Sequence, residues 1–534
     1  MSATQVKKLP RAKTPEEVGV SSEAVMDMLK GIEACGAEEH GFIIIRHGKV
    51  AAESFKNPYS ADAPHIMYSV SKAVTATAIG FAVDEGLLSL EDKVMDIFPE
   101  YRPKKRDEKL ESLKVRHLIT MMAGKVASPL ANKTKDKWLN HFFDGKWDFA
   151  PGEKFRYVNE NIFLLCAILV RVTGISVVEF LTPRLWGPLG IETPFWETNH
   201  KGIEAGGWGL FISAESMAKI ALCYLQKGMF EGKQVIPEHW AKNAVLNQKP
   251  TNKGESPNEE NGYGFGIWRS GPDNMSYRFD GMFSQKGFIF ENYDAVIVTV
   301  SGEMSDGKTH GYVESNFPRG FIENDPDAAP NKELTIALSS RACKTLPQKP
   351  RSQKETELEG KTIKFRRKIL LNIAGFPMSV LPLAATYMTR DRAGNINNVK
   401  FNFQENECRL TWSEGDETNS MLCGMDGEFR KSAMRLATTD YTAFCCASWL
   451  DENTLEVWII PRECIGKRML KFNFSGKKVR MIPSTTPDIS IMVDNITNGI
   501  KDFVKNKTME NLAKKILKKL ENIIEPVHKG KILK

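Results

Sequence analysis

Cysteine is sparse and unordered in this 534-residue chain: nine residues, an odd number, none of them in Cys-x-x-Cys spacing. That speaks against a disulfide framework or a zinc-ribbon site and fits a reducing compartment. Long hydrophobic runs are missing too. The longest apolar tract, residues 369 to 385, is interrupted by Pro377 and Pro382 and falls short of the roughly 20 residues a membrane span needs. No apolar stretch comes after the basic start at Lys7 and Lys8, so no signal peptide is expected and the expected location is the cytoplasm. There is no zinc motif, phosphate loop or dinucleotide fingerprint, so no cofactor and no metal are expected. The absence of a Gly-x-Ser-x-Gly elbow sets aside an α/β-hydrolase. Positive charge is confined: the net charge is +7, but from Lys501 onward ten lysines stand against four acids. The rest of the chain is nearly neutral, which does not suit a nucleic-acid-binding body.

What is present is enough for two or three domains, with an ordinary 42% hydrophobic content. Residues 15 to 36 carry a helical apolar spacing (Val25, Met28, Leu29, Ile32). Gly41–Arg46 and Lys49–Phe55 predict a hairpin about His47-Gly48. Helices are expected after Ser69 up to Gly86, from Glu160 to Val172, and from Glu215 to Gln226. Three adjacent strands are expected between 276 and 301. Helices enclosed by an early hairpin and late strands predict an α+β domain with an antiparallel sheet, rather than a doubly wound one. The expected boundaries are 1–340 for this domain, 341–386 for a basic, polar linker, 387–485 for an all-β barrel or sandwich, and 486–534 for a basic amphipathic helical tail. Docking of that tail on its own protein is favoured over binding to a membrane surface. The oligomeric state is not legible.

The most informative stretch is Met67-Tyr68-Ser69-Val70-Ser71-Lys72. Ser69 and Lys72 lie one turn apart on a single helix face. No other charge occurs until Asp84, and the residues between are apolar or small, so the helix should be buried all round. A lysine buried there should have a lowered pKa and be able to take a proton from the neighbouring hydroxyl. Spacing alone is weak, because Ser-x-x-Lys occurs four times, at Ser69, Ser216, Ser305 and Ser475. The last two read as turns, and Ser216–Lys219 lies on an amphipathic helix with Lys219 expected on the wet face. The pair by itself leaves a second reading open, in which Ser69 is an N-cap and Lys72 snorkels outward.

A serine–lysine nucleophile needs a second proton carrier and an oxyanion hole. Tyr157-Val158-Asn159 is the one Tyr-x-Asn among the eleven tyrosines. Its phenol could relay a proton between serine and leaving group. Its amide could hydrogen-bond both the lysine and a substrate carbonyl. The alternative is that Asn159 caps the next helix and Tyr157 only packs.

The order of these parts resembles the penicillin-recognising serine hydrolases: class C β-lactamases, D-alanyl-D-alanine peptidases, and related esterases and 6-aminohexanoate-dimer hydrolases. The resemblance runs through Tyr68–Lys72, Asp84–Val94, Val115–Thr120, Pro151–Asn159, Val172–Ser176 and Gly206–Lys219, covering roughly residues 15 to 325. It implies a β-lactamase/transpeptidase-like fold with an all-helical subdomain. It also implies Ser69 as acylated nucleophile, Lys72 as its activator and Tyr157 as general base and acid. Substrate binding would fall to Asn159, Gly281, Met282 and Gln285, with the oxyanion held by the N–H of Ser69 and one near Met282. The family's Lys-Thr-Gly or His-x-Gly is replaced by Phe279-Asp280-Gly281. Losing the cationic first position moves the expectation from a β-lactamase or D-amino-acid peptidase towards the esterase and 6-aminohexanoate-dimer hydrolase branch. Met121-Met122-Ala123-Gly124 replaces the usual His-Thr-Ser-Gly, which reads as repacking. The expected partner is a small ester or amide substrate. A reading from another class is a catalytically silent binding or scaffold protein that uses the β module and tail.

Overall fold

The computed structural model describes residues 7–102, 107–126, 138–199, 201–248, 261–270, 276–303, 307–366, 396–414, 417–436, 439–488 and 526–533. Among these, residues up to Arg341 form one compact unit and those from Ala342 a second.

The first unit is built on a six-stranded antiparallel sheet. Its order is Lys49–Phe55, Glu39–Arg46, Ala295–Ser301, Gln285–Phe290, Ser276–Gly281, Trp268–Ser270. The early hairpin therefore pairs with the late strands, with Ile44 opposite both Ala52 and Ile297. Strand alternation explains the run Phe42-Ile43-Ile44-Ile45, because both faces of the sheet are covered. Ile43 and Ile45 face the core that contains the Ser71–Asp84, Asn159–Thr173 and Ala214–Leu225 helices. Phe42 and Ile44 face a second core made with Val25, Met28, Leu29 and Ile32 of the Ser22–Ala34 helix. The expected α+β architecture is the observed one.

Local signals account for the helix ends. Gly174 closes the Asn159–Thr173 helix with φ 75°, and Ser176 with Glu179 forms a capping box for the next helix. The Ser71–Asp84 helix is buried from Ser71 through Ala82. The Ala214–Leu225 helix is buried along its whole length, so Lys219 is buried rather than on the wet face expected from sequence. The apparent amphipathic pattern misleads because both sides of this helix are covered by protein.

The second unit is a ten-stranded sheet closed by an additional pairing of Glu417–Gly424 with Thr439–Asp451, an all-β barrel. Strict alternation fills its interior: Cys408, Leu410 and Trp412 are buried, while Arg409 is exposed. Two elements correct the sequence reading. Thr362–Phe365, inside the expected linker, is a barrel strand, and so is His528–Ile532, inside the expected helical tail. Their basic composition hides them, because only one side of each strand faces the interior. The linker residue Glu355 also accepts a 2.7 Å hydrogen bond from Trp449 Nε1 of the barrel. The expected amphipathic helix over 489–525 lies outside the described residues. All nine cysteines are free thiols. No single helix among the described residues is long and apolar enough to cross a membrane.

Candidate active site

Ser69 sits in a single 3-10 turn, Tyr68–Val70, that opens into the Ser71–Asp84 helix. Three contacts fix this turn. Met67 N donates to Leu210 O at 2.9 Å, tying it to the small sheet of Pro64–Ile66, Leu210–Ser213 and Phe195–Trp196. Ser71 Oγ donates to Tyr68 O at 2.6 Å and accepts from Leu210 N at 3.3 Å. Tyr68, immediately before the serine, has φ 45°. A non-glycine residue there is uncommon and holds only where its surroundings over-determine it.

Lys72 Nζ donates to Ser69 Oγ at 2.8 Å and to Gly207 O at 2.7 Å. The lysine is fully buried, and desolvation pushes its pKa down to about 7; Asp280 and Glu160 act in the opposite direction. Near neutral pH a large share of the amine is therefore uncharged. In that form it still donates to Gly207 O and can accept the proton of Ser69 Oγ–H. The carbonyl at Gly207 comes from the glycine-rich bend. Gly206 has φ 66°, and a Cβ there would lie 2.5 Å from Cys166 Sγ, so the bend needs glycine to bring its carbonyls onto the helix.

Tyr157 is half-buried, with Lys72 Nζ 4.7 Å from its ring centroid. Its ring packs at 5.5 Å against Trp268 and edge-on at 6.2 Å against Tyr263. The loop that carries it is pinned by the segment that replaces the usual His-Thr-Ser-Gly: Arg156 N donates to Met121 O and Gly152 N to Met122 O, both at 2.8 Å. Ser69, Lys72 and Tyr157 thus come together as the sequence predicts.

The remaining residues divide. Asn159 is exposed at the start of its helix, and a Cβ at Gly207 would lie 3.2 Å from its Oδ1. It neither caps that helix nor bonds Lys72; the lysine's second acceptor is the Gly207 carbonyl. Gly281 is required by close approach, because a Cβ there would lie 2.4 Å from Met67 O. Met282 is exposed beside it. Gln285 is fully buried, and its amide bonds the backbone of residues 282, 283 and 301, so it does not reach a substrate. This corrects the sequence expectation, because strand parity cannot be followed through the irregular turn Met282–Ser284.

Sequence reasoning misses one buried group. Asp280 is bound by Arg278 Nε at 2.7 Å and by Lys286 Nζ, and these cations hold its carboxyl well below the usual carboxylate range despite burial. Lys286 stands opposite Asp280 in the register of the late hairpin, and that pairing is the signal a sequence offers. Phe279 packs its ring against Tyr224 at 5.6 Å. Among the described residues no group of three or more His, Cys, Asp or Glu side chains could hold a metal ion.

An antiparallel sheet covered by helices, with a serine hydroxyl bonded to a buried lysine, defines a serine hydrolase. Residues 32–312 match the family model described as Beta-lactamase, and the chain belongs to that family of serine hydrolases. Among curated proteins it is 25% identical over 312 residues to a 6-aminohexanoate-dimer hydrolase of Paenarthrobacter ureafaciens, covering 54% of this chain and 79% of that one. It is also 27% identical over 161 residues to a beta-lactamase of Pseudomonas fluorescens, covering 28% and 44%. Solved structures similar to it include a family VIII carboxylesterase, at 15% identity and TM-score 0.47, covering 59% of this chain and 100% of that one. An octameric penicillin-binding protein homologue from Pyrococcus abyssi matches at 15% identity and TM-score 0.44, covering 86% and 97%.

Proposed function

We propose that the protein cleaves a small ester or amide through an acyl-enzyme on Ser69. The observation that carries this is the 2.8 Å contact of the fully buried Lys72 amine with the Ser69 hydroxyl. Lys72 takes the serine proton as Oγ bonds to the substrate carbonyl carbon. The oxyanion is held by the N–H groups of Ser69 and Met282. Tyr157, beside the lysine, passes the proton to the leaving oxygen or nitrogen as its bond to carbon breaks. Water then attacks the acyl-enzyme by the reverse proton path. Asn159, exposed at the mouth, orients the substrate.

The strand Ser276–Gly281 offers no uncommitted cation to a substrate carboxylate. Phe279 brings no cation there, and Arg278 and Lys286 already hold the Asp280 carboxylate. A substrate carboxylate would have to compete with a tethered one. This disfavours a penicillin; the name of the Paenarthrobacter relative, a 6-aminohexanoate-dimer hydrolase, supports an amide as the bond cleaved, although that dimer also ends in a carboxylate. The test is fluorophosphonate labelling of the native protein and of Ser69→Ala, then turnover of four substrates. These are a p-nitrophenyl ester, a chromogenic cephalosporin, a D-amino-acid amide and the linear aminohexanoate dimer. Labelling that depends on Ser69, with turnover of the ester or the linear amide, supports the proposal. A clear preference for the cephalosporin would overturn the substrate assignment, and an unlabelled native protein would overturn the mechanism.

A further inference from the structure

We infer that Gln285 is a positioning residue for the oxyanion hole, acting through the backbone of the Met282–Ser284 turn. The inference rests on the Ser69 mechanism and deepens it. The strand before this turn lies directly on the nucleophile turn, since Gly281 leaves no room for a Cβ beside Met67 O. The turn itself has an unusual backbone: Phe283 and Ser284 are both left-handed, with φ 63° and 62°. Two successive non-glycine residues in that region need an external hold.

Gln285 supplies it. Its Nε2 lies 3.3 Å from Met282 O, 3.0 Å from Phe283 O and 2.6 Å from Ser301 O. Its Oε1 accepts from Ser301 N at 3.1 Å. One side-chain amide therefore ties two successive carbonyls of the turn to the Ala295–Ser301 strand. Fixing the carbonyl of Met282 on one side, with Gly281 wedged against Met67 on the other, fixes the direction of the Met282 N–H.

The same turn is coupled to the nucleophile. The buried Phe283 ring packs 4.9 Å from the ring of Tyr68, the left-handed residue before Ser69. The two N–H groups assigned to the oxyanion thus belong to segments locked to each other by the Tyr68–Phe283 ring pair, and to the sheet by the Gln285 amide together with Thr299 Oγ1, which donates to Ser284 O at 3.1 Å. Their separation is set before substrate arrives, which is what an oxyanion hole requires.

The experiment compares Gln285→Leu, which keeps bulk and removes the donor, with Val298→Ala, a core truncation in the same sheet that removes none of these hydrogen bonds. The readouts are kcat and KM for a p-nitrophenyl ester and the inhibition constant of a small alkylboronic acid. The boronic acid forms a tetrahedral adduct on a serine and so reports the oxyanion hole. Gln285→Leu is expected to lose about tenfold to a hundredfold in both kcat and boronic-acid affinity with KM within about twofold, while Val298→Ala lowers thermal stability and leaves both unchanged. Should Gln285→Leu fail to fold, Phe283→Leu keeps the carbonyls tied but removes the ring pair. It is expected to lose kcat and boronic-acid affinity together, by a smaller factor. Unchanged boronic-acid affinity in the folded variant, with labelling of the native protein intact, overturns this inference alone. A native protein that neither labels nor binds the boronic acid overturns the mechanism beneath it.

Discussion

Two Ser-x-x-Lys pairs of this protein put a buried lysine on a helix, and only one of the two lysines bonds its serine. Lys72 and Lys219 are each about 1% exposed, and each donates to a glycine carbonyl, Gly207 at 2.7 Å and Gly190 at 2.9 Å. Both are pushed down by desolvation. Lys72 also holds Ser69 Oγ. Ser216 instead lies 2.8 Å from Ser213 Oγ, within the cap of its own helix, and makes no such bond to Lys219. Lys219 further feels the opposing charges of Glu215 and Glu231. Burial makes a lysine ready to lose its proton; only a hydroxyl within reach, on a turn open to substrate, makes that readiness useful. The Ser216 hydroxyl is held by Ser213, whose side chain caps the helix, so the second pair is structural.

The largest effect that tests this contrast is removal of the two serines. Ser69→Ala should abolish fluorophosphonate labelling and cut turnover by at least about a thousandfold. Ser216→Ala should label like the native protein. Labelling that survives in Ser69→Ala would erase the distinction.

The lysines should separate activity from stability. Lys72→Ala should lower kcat/KM by about a hundredfold to ten-thousandfold. Lys219→Met should keep kcat/KM within about twofold and lose about 1–3 kcal/mol of stability, because the Gly190 carbonyl is left buried without its donor. Initial rates and urea denaturation of the same preparations would show it.

A third effect is in pH. Only the uncharged amine of Lys72 accepts the serine proton, so kcat/KM should fall about tenfold per unit below its pKa of about 7. A limb near the ordinary lysine value of 10.5 would mean that burial does not perturb it. The effect on stability has a definite sign. Between about 7 and 10.5 the unfolded chain holds a proton on Lys72 that the native state has released, so this residue makes stability rise with pH across that window. Lys72→Met should flatten that rise.

The smallest effect is a charge removed at a distance. Glu160 raises the Lys72 pKa, so Glu160→Gln should move the acid limb of the rate profile to lower pH. Glu215→Gln, beside Lys219, should leave it in place. Equal shifts in both would mean that the limb does not report Lys72.

Much of the site is legible in the sequence because it is local. Ser69 and Lys72 share one helical turn, and an uncharged helix announces its own burial. The hairpin at His47-Gly48 and the glycine stops come from turn chemistry. What escapes depends on partners distant in sequence. The acceptor for Lys72 is a carbonyl 135 residues away, and carbonyls have no sequence signature. Asp280 is charged yet buried, which only its neighbours Arg278 and Lys286 make tolerable. A place beside a catalytic strand points Gln285 at substrate, yet two left-handed residues turn it inward. In the barrel, lysine-rich strands such as His528–Ile532 have too few apolar positions to be read alone.

That last strand has a consequence for the order of assembly. It lies between Thr362–Phe365, the first strand of the barrel, and Lys478–Thr486. The ring of described strands is therefore completed by the last of them, His528–Ile532. During synthesis the nine described strands made earlier wait with two open edges, the state in which strands recruit the wrong partners. A ribosome pausing before residue 528, or a protease cutting before it, would leave the barrel unzipped along that seam.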